Sequence, residues 1–212
     1  MKKKPVKFLF IGRTCSGKSS IAKGVSKKLG LRVVKSYTTR PPRDNEKNGK
    51  SDHYFISEDE FDMLGSVYGF VAETEINNVK YATTYDELER SDIYVIDPNG
   101  AENLMRICSS DFEFVTVYIR VPYKVAEERY VQRGGTKKDF KSRYDSENDQ
   151  FKEYEKRREF DFHLLNDGSL DNSVDSVCEW IKKRIELSNI NWKTEELHEW
   201  KDNDGSRLVR KR

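Results

Sequence analysis

The stretch that most constrains the fold of this chain is Gly12–Ser19, whose sequence GRTCSGKS fits the pattern G-x-x-x-x-G-K-[ST]. It follows a short apolar run of strand type, Val6–Ile11, and opens a run typical of a helix, Ser20–Leu29. The glycines allow the backbone to turn its N–H groups around a phosphate, and the helix N-terminus adds its positive end. A strand, a glycine loop and a helix in this order predict a phosphate-binding loop in an α/β protein.

Two side chains of this loop carry chemistry. Lys18 is placed to reach the β- and γ-phosphates of a nucleotide, and the hydroxyl of Ser19 is placed to bind Mg²⁺. The alternative is a glycine turn with an exposed lysine, which the complete motif in its proper context disfavours. The candidate nucleotide-binding residues here are Gly12, Arg13, Thr14, Cys15, Ser16, Gly17, Lys18, Ser19 and Ser20.

The charge balance and the cysteines limit the classes of partner and compartment. With 39 Lys and Arg against 37 Asp and Glu, the net charge of +2 gives no case for a nucleic-acid or membrane partner. No apolar run is long enough to cross a membrane, and the first one leads into the loop instead of forming a signal-peptide core. Cys15, Cys108 and Cys178 show no metal-ligand spacing and fit reduced thiols, so we expect a cytoplasmic protein.

A second basic stretch follows the first helix and a short strand expected at Leu31–Lys35. In Ser36–Arg43, two prolines hold the chain extended between Arg40 and Arg43. The planar donor fork of arginine suits a second phosphate. A solvated basic loop is the alternative, and the phosphate-binding loop upstream favours binding.

Residues 36–84 are expected to form a small β-rich insertion. Asp52–Ser57 has a strand core and begins a capping box for a helix, and two further strand-like runs meet at the turn signal Asn77–Asn78. Strands and helices then alternate, which predicts a parallel sheet covered by helices on both faces. Asp97 ends one buried-type strand, where ligands of open α/β sheets bind, so it is a candidate for the Mg²⁺ shell or a substrate contact.

Arginine-bearing helices in the C-terminal half indicate a lid. Arg129 and Arg133 lie four residues apart on one predicted helix, Gly134–Gly135 breaks it, and a long charged helix carrying Arg143 follows. Flexible glycines between such helices suit a lid that closes on phosphates. A charge-rich helix is otherwise more often a solvated face, so this interpretation depends on the phosphate-binding loop.

Together these motifs resemble the guanylate kinase family. The loop, the S-x-T-T-R-P-P-R stretch beginning at Ser36, the strand ending at Asp97, the lid arginines and Asn166 occur in the family's order over roughly residues 5–187. The resemblance implies an α/β P-loop kinase fold. It would have a parallel sheet core covered by helices, a β-rich nucleotide-monophosphate-binding insertion and an arginine-bearing helical lid.

The resemblance also implies a division of the chain. A guanylate-kinase-like domain would span residues 1–187, with a core at 5–35, 85–125 and 160–187, an acceptor-binding insertion at 36–84 and a lid at about 126–159. Residues 188–212, which include Trp192 and Trp200, are expected to add a helix and a disordered basic end. The expected assembly is a monomer or a homodimer.

By position, the resemblance assigns roles in a transfer of the γ-phosphoryl group of ATP to a nucleoside monophosphate. GMP and dGMP are the first acceptors to test. Lys18, Arg133 and Arg143 would stabilise charge on the moving group, while Arg129 and Asn166 would join the ATP site, the latter near the adenine. Mg²⁺, the implied cofactor, would be held by Ser19 and Asp97. The implied acceptor-binding residues are Ser36, Arg40, Arg43, His53, Tyr54, Glu73, Tyr81, Thr83 and Asp97.

Three positions depart from the family's pattern. His53 stands where the family has a phosphate-binding tyrosine, and Val95 where it has the first acid of the strand end. Ala72 stands where the family has the glutamate that reads guanine, with Glu73 and Glu75 nearby. Because losing that acceptor removes a discriminating hydrogen bond, we expect weaker selectivity for guanine than is typical of the family.

Two other functions remain open at this point. The same fold could phosphorylate a ribose bisphosphate, which has no base to read and would suit the changes at His53 and Ala72. A non-catalytic guanylate-kinase-like module that binds proteins is the third candidate. The complete phosphate-binding loop argues against that module, since a scaffold has no need of it.

Overall fold

The computed structural model describes residues 4–42, 46, 51–76, 78–157, 160–189, 200–201 and 207–208. The helices are α1 (Lys18–Leu29), α2 (Glu58–Tyr68), α3 (Tyr85–Glu89), α4 (Pro98–Cys108), α5 (Tyr123–Gln132), α6 (Lys137–Arg157) and α7 (Leu170–Asn189). The strands are β1 (Val6–Ile11), β2 (Ser36–Thr38), β3 (His53–Phe55), β4 (Ala72–Ile76), β5 (Val79–Thr83), β6 (Ile93–Val95), β7 (Glu113–Arg120), β8 (Phe162–Leu165), β9 (Trp200–Lys201) and β10 (Arg207–Leu208).

The core is a four-stranded parallel sheet in the order β6-β1-β7-β8. Its central strand β1 is apolar at successive positions, and Phe8, Leu9, Phe10 and Ile11 are all buried, as a strand covered on both faces requires. Helices α1 and α7 cover one face, while α4 and α6 contribute to the apolar cluster on the other. The predicted α/β fold with a parallel sheet covered by helices is therefore confirmed.

The strand expected at Leu31–Lys35 is wrong in extent. In the structure this segment contributes a single bridge, between Val33 and Ile93, at the outer side of β6. The amide of Val34 donates to the carbonyl of Ile93, and the chain then leaves this sheet to enter β2 at Ser36. The apolar composition of this segment predicted a strand. The backbone leaves the parallel sheet after Val34, and this limits its pairing to one residue.

A second, four-stranded sheet in the order β3-β2-β5-β4 lies within residues 36–84. Strands β2 and β3 are parallel, and β5 pairs antiparallel with both β2 and β4. The predicted capping box is present, because the Ser57 hydroxyl accepts from the amide of Glu60 and the Glu60 carboxylate accepts from the amide of Ser57. Asn78 has a φ of 60°, which fits the turn predicted between β4 and β5.

The closing helix α7 is longer than expected and packs closely on α1. A Cβ atom on Gly24 of α1 would lie 2.5 Å from Cγ2 of Val174, so glycine allows the two helices to approach. Beyond α7, the structure places Trp200 in β9, which pairs antiparallel with β10 within the segment where a helix and a basic end were expected. The remaining residues of that predicted helix and basic end lie outside the described residues.

Within the part of the chain that the structure describes, a search for a helix with the length and apolar character needed to span a membrane found none.

Candidate active site

The loop Gly12–Lys18 is held in a compact shape by close backbone contacts. A Cβ atom on Gly12 would lie 2.3 Å from the carbonyl oxygen of Ile119 on β7, so a side chain cannot be accommodated there. Gly17 has a φ of 94°, a left-handed conformation in which glycine is unstrained. Cys15 adopts a φ of 57° although it carries a side chain. Gly12 and Gly17 therefore lie at the two positions where a close backbone approach and a left-handed φ favour glycine.

Helix α1 begins at Lys18 and points its N-terminus at the loop. Gly17 is the N-cap residue and has no side chain with which to cap the helix. The first backbone N–H groups of α1 therefore remain available on the side of the loop. The Ser19 side chain is exposed in the first turn, followed by Ser20. This arrangement is an anion-binding site made by backbone groups.

The ammonium group of Lys18 turns back onto the loop. Its Nζ donates to the carbonyl oxygens of Gly12, at 2.5 Å, and Arg13, at 3.0 Å. Burial lowers the pKa of Lys18 to about 8, and the opposing attraction of the Glu147 carboxylate is the largest charge effect. The nearby Arg143 guanidinium lowers the same pKa.

Asn166, which the resemblance places near the adenine, contacts the phosphate-binding loop in the structure. Its side chain is buried, its Nδ2 donates to the Ser16 carbonyl at 2.7 Å and its Oδ1 accepts from the Ser173 hydroxyl at 2.9 Å. A Cβ atom on Gly17 would lie 2.3 Å from the same Nδ2. The contacts describe a residue that positions the phosphate-binding loop.

Of the three predicted lid arginines, one contacts the loop directly and a second contacts Glu147, whose carboxylate accepts from a loop amide. Arg129 of α5 donates from Nη1 to the Cys15 carbonyl at 3.4 Å, and burial lowers its pKa, with Arg133 contributing to the same direction. Arg143 of α6 lies with its Nε 3.5 Å from Oε1 of Glu147. Arg133 forms the exposed C-terminal end of α5 and is not brought into these loop contacts.

One face of α6 contacts the loop through residues that sequence reasoning missed. The Arg13 guanidinium lies over the rings of Tyr144 and Phe151, at 5.1 and 4.9 Å, and its Nε is 3.5 Å from Oε1 of Glu155. The Glu155 carboxylate also accepts from the Tyr118 hydroxyl of β7. The spacing of positions 144, 151 and 155 was the available signal, because it places them on one helical face within a charged sequence.

On the acceptor side, the second sheet gathers several predicted residues on one face. Residues directly opposite each other on paired strands share a face, and the pairs Ser36–His53 and Ala72–Thr83 are of this kind. Tyr81 shares that face because it lies two residues from Thr83. The Ser36 hydroxyl and Nδ1 of His53 are 2.8 Å apart, and the His53 and Tyr81 rings meet edge to face.

Tyr54 and Glu73 lie on the opposite face of this sheet. The Tyr54 ring stacks on Tyr37 with centroids 5.0 Å apart, and the exposed Glu73 pairs with Ala82. The β4–β5 ladder runs without a bulge from Ala72 to Ile76, so no shift turns Glu73 inward. The structure therefore does not bring these two predicted acceptor residues together with the others.

Arg40 lies beside the acceptor face with its donor fork filled by a carboxylate. Its Nη1 and Nη2 each donate to one oxygen of Glu46, both at 2.9 Å, and its guanidinium lies over the Phe55 ring. The bidentate contact shows that the fork is oriented for a planar oxyanion. Arg43, its predicted companion, lies outside the described residues.

Asp97 lies between the two sides. Its Oδ1 accepts from the amide of Gly100, capping α4, and from Nε2 of Gln150 on α6, at 3.1 and 3.0 Å. Its charge also raises the pKa of Lys18, so it lies near the loop. The described residues contain no cluster of three or more His, Cys, Asp or Glu side chains arranged for a metal ion.

A parallel sheet with a phosphate-binding loop after its central strand, a second sheet and arginine-bearing helices together define a P-loop kinase of the α/β class. Comparison with known proteins narrows this class. The profile of the guanylate kinase family matches residues 4–184, and the chain belongs to this family of nucleoside monophosphate kinases.

Individual relatives agree with the family match. A guanylate kinase from Thermotoga maritima is 30% identical over 183 residues, which are 82% of this chain and 85% of that protein. One from Protochlamydia amoebophila is 38% identical over a shorter stretch, which covers 38% of this chain and 43% of that protein. The crystal structure of guanylate kinase from Anaplasma phagocytophilum has the same fold, with a TM-score of 0.65 at 20% identity, covering 92% of this chain and 99% of that one.

Proposed function

We propose that this protein transfers the γ-phosphoryl group of ATP to GMP, giving ADP and GDP, as its membership of the guanylate kinase family indicates. The observation that carries the proposal is that Lys18 lies in the phosphate-binding loop, Arg129 contacts the loop, and Arg143 is joined to it through Glu147. Cationic side chains and backbone amides aimed at one point are what phosphoryl transfer requires, because catalysis there is mostly positioning and charge stabilisation.

The division of labour follows the two sides of the site. The loop and the α1 N-terminus would bind the ATP phosphates, while Lys18 and Arg143 would stabilise the charge that develops on the moving group. Arg40, with Arg43, would hold the acceptor phosphate, and the face that carries Ser36, Tyr81 and Thr83 would hold the acceptor nucleoside. In this proposal residues 36–84 act as the acceptor-binding part and about 126–159 as the lid.

Roles from the family's pattern differ in how well the contacts support them. We propose that Asn166 positions the loop, since its amide is engaged by Ser16 and Ser173. Arg133, at the exposed C-terminal end of α5, keeps its proposed role beside Arg129, whose pKa its charge helps to lower. Tyr54 and Glu73 lie on the far face, so direct acceptor contacts are assigned to the other predicted residues.

The oxygen ligands that Mg²⁺ prefers are present on both sides of the loop. The Ser19 hydroxyl is exposed at the first turn of α1, and the Asp97 carboxylate lies close enough to raise the pKa of Lys18. We propose that these two residues hold the ion, with phosphates and water as its other ligands. Bound there, Mg²⁺ would neutralise charge on the ATP phosphates.

For cellular setting and assembly, the proposal is a cytoplasmic monomer or homodimer that uses ATP and GMP and needs no nucleic-acid or membrane partner. Free thiols at Cys15, Cys108 and Cys178 support a reducing compartment. The ribose-bisphosphate and non-catalytic alternatives are not favoured, because the family match spans residues 4–184 and the relatives are guanylate kinases.

The test is an ATP-consumption assay across the common ribo- and deoxyribonucleoside monophosphates and a ribose bisphosphate. Turnover should be greatest with GMP or dGMP, and Lys18→Ala should abolish it in a protein that still folds, since Lys18 supplies transition-state charge. Thermal shifts with ATP and with GMP should each grow with ligand concentration over Kd. Near-normal kcat in Lys18→Ala would overturn the assignment of the loop.

A further inference from the structure

One carboxylate, that of Glu147 on α6, occupies the phosphate-binding loop. Its Oε2 accepts the backbone N–H of Thr14 at 2.8 Å, and its Oε1 lies 3.5 Å from Nε of Arg143. The Glu147 charge is also the largest charge effect on the ammonium of Lys18. A loop amide and a lid arginine therefore both contact one oxyanion contributed by the protein itself, and its charge also acts on the loop lysine.

These three groups are the ones that the proposed function assigns to the ATP phosphates. A single N–H donor cannot make a full hydrogen bond to a carboxylate and to a phosphate at the same time. A carboxylate left beside the bound phosphates would also repel them, because both are anions in a partly buried site. Nucleotide binding therefore requires Glu147 to leave Thr14.

We propose that Glu147 is a built-in competitor for the phosphates of ATP and so determines how tightly the protein binds ATP. When ATP binds, the Thr14 amide and the Arg143 guanidinium exchange the Glu147 carboxylate for a phosphate group as their partner. Glu147 also holds Arg143 within reach of the loop until that exchange. The inference rests on the proposed function, because it needs the loop to bind the phosphates of a nucleotide.

A purely structural role for Glu147 makes the opposite prediction. If the carboxylate only braces the loop, then removing its charge weakens both the fold and the binding of ATP. If it competes, then removing its charge weakens the ligand-free fold but strengthens binding. The signs of the two changes separate the roles, whatever their sizes.

The experiment measures Kd by calorimetry for a non-hydrolysable ATP analogue and for inorganic tripolyphosphate, which has no base or sugar. The variants are Glu147→Gln, which keeps the shape of the side chain, and Asp149→Asn, which makes the same charge change at an exposed position on the same helix. Glu147→Gln should bind both probes about tenfold more tightly, the effect of losing one charge-assisted competitor. Asp149→Asn should change Kd by less than about twofold.

Melting temperatures without ligand complete the test. Glu147→Gln should melt below the unchanged protein, since the Thr14 amide and Arg143 lose a charged partner. Equal or weaker binding in Glu147→Gln, while the unchanged protein binds both probes, overturns the inference and leaves the proposed function intact. Failure of the unchanged protein to bind either probe overturns the proposed function itself.

Discussion

At the scale of single residues, Lys18 shows how burial tunes a charged group. Its ammonium donates to two carbonyl oxygens of its own loop, and its burial lowers its pKa to about 8. Bound phosphates would favour the charged form and raise this pKa again. Lys18 therefore changes its protonation on binding within an experimentally accessible pH range.

We predict that ATP-analogue binding takes up a proton as pH rises through 8. With a free pKa of about 8 and a bound pKa well above it, uptake should grow from about a tenth of a proton at pH 7 to about nine-tenths at pH 9. Calorimetry in buffers of different ionisation enthalpy measures this. The Cys15→Gly variant, which suits the φ of 57° at this position, removes the other titratable group of the loop as a control. Uptake that does not change between pH 7 and pH 9 would contradict the assignment.

Arg40 is predicted to serve the acceptor and not ATP. Arg40→Lys should raise KM for GMP about tenfold or more, because a point charge cannot reproduce the bidentate fork that Glu46 now fills. Kd for the ATP analogue should change by less than about twofold. Arg32→Lys is the matched control, since Arg32 is a half-exposed arginine away from the acceptor face. Equal losses for both substrates would refute this division.

Ala72 carries a prediction about base selectivity. It is buried on the face that carries Thr83 and Tyr81, so Ala72→Glu would present a carboxylate there. One charge-assisted hydrogen bond of about 1.5–3 kcal/mol to guanine should raise the preference for GMP over AMP about tenfold or more. The ratio of kcat/KM values measures it, and Glu73→Gln, on the opposite face, should leave the ratio unchanged. A preference of several thousandfold in the unchanged protein would mean that another residue reads guanine.

At the scale of elements, the phosphate-binding loop depends on strands distant in sequence. The carbonyl of Ile119 on β7 excludes any side chain at Gly12, and Asn166, just after β8, holds the carbonyl of Ser16. Three elements of the sheet thus converge on one loop. Its shape is a property of the assembled sheet and not of the G-x-x-x-x-G-K-S sequence alone.

Asn166→Ala should therefore weaken both the fold and ATP binding. The Ser16 carbonyl and the Ser173 hydroxyl would each lose a buried partner, at about 1–3 kcal/mol for each unsatisfied group. Chemical denaturation and KM for ATP measure the two effects. Ser169→Ala is a control that loses the helix-capping hydrogen bond from the Asn172 amide at the start of α7, so it should lower stability while leaving KM for ATP unchanged. A raised KM with unchanged stability would instead indicate direct contact with the nucleotide.

At the scale of the whole molecule, the sequence predicted the path of the chain better than the contacts between its parts. The apolar runs of β1 and β7 and the glycine spacing near Lys18 gave the core, because burial and backbone geometry are local in sequence. The contacts of Arg13 and Thr14 with α6 could not be predicted in this way. They join segments more than 130 residues apart, and a charged helix looks the same whether its face is solvated or engaged.

The second sheet shows the same limit. Its strands were visible in the sequence, yet the face occupied by each residue depends on register, which the turn at Asn78 and the pairing of β2 with β5 determine together. The alternation of side chains placed Glu73 opposite Ala72 correctly. It could not place Tyr54, whose face is defined only by the neighbours of β3.

The hydrogen bond from Asn166 to Ser16 also bears on how the chain folds as it is synthesised. The two residues are 150 positions apart, so the loop emerges first from the ribosome and waits for most of the chain before its support exists. Such a distant contact carries a high loop-closure cost and forms late. A nascent chain that has not yet released β8 and Asn166 would thus hold an unsupported phosphate-binding loop, and nucleotide affinity would appear only after these residues emerge.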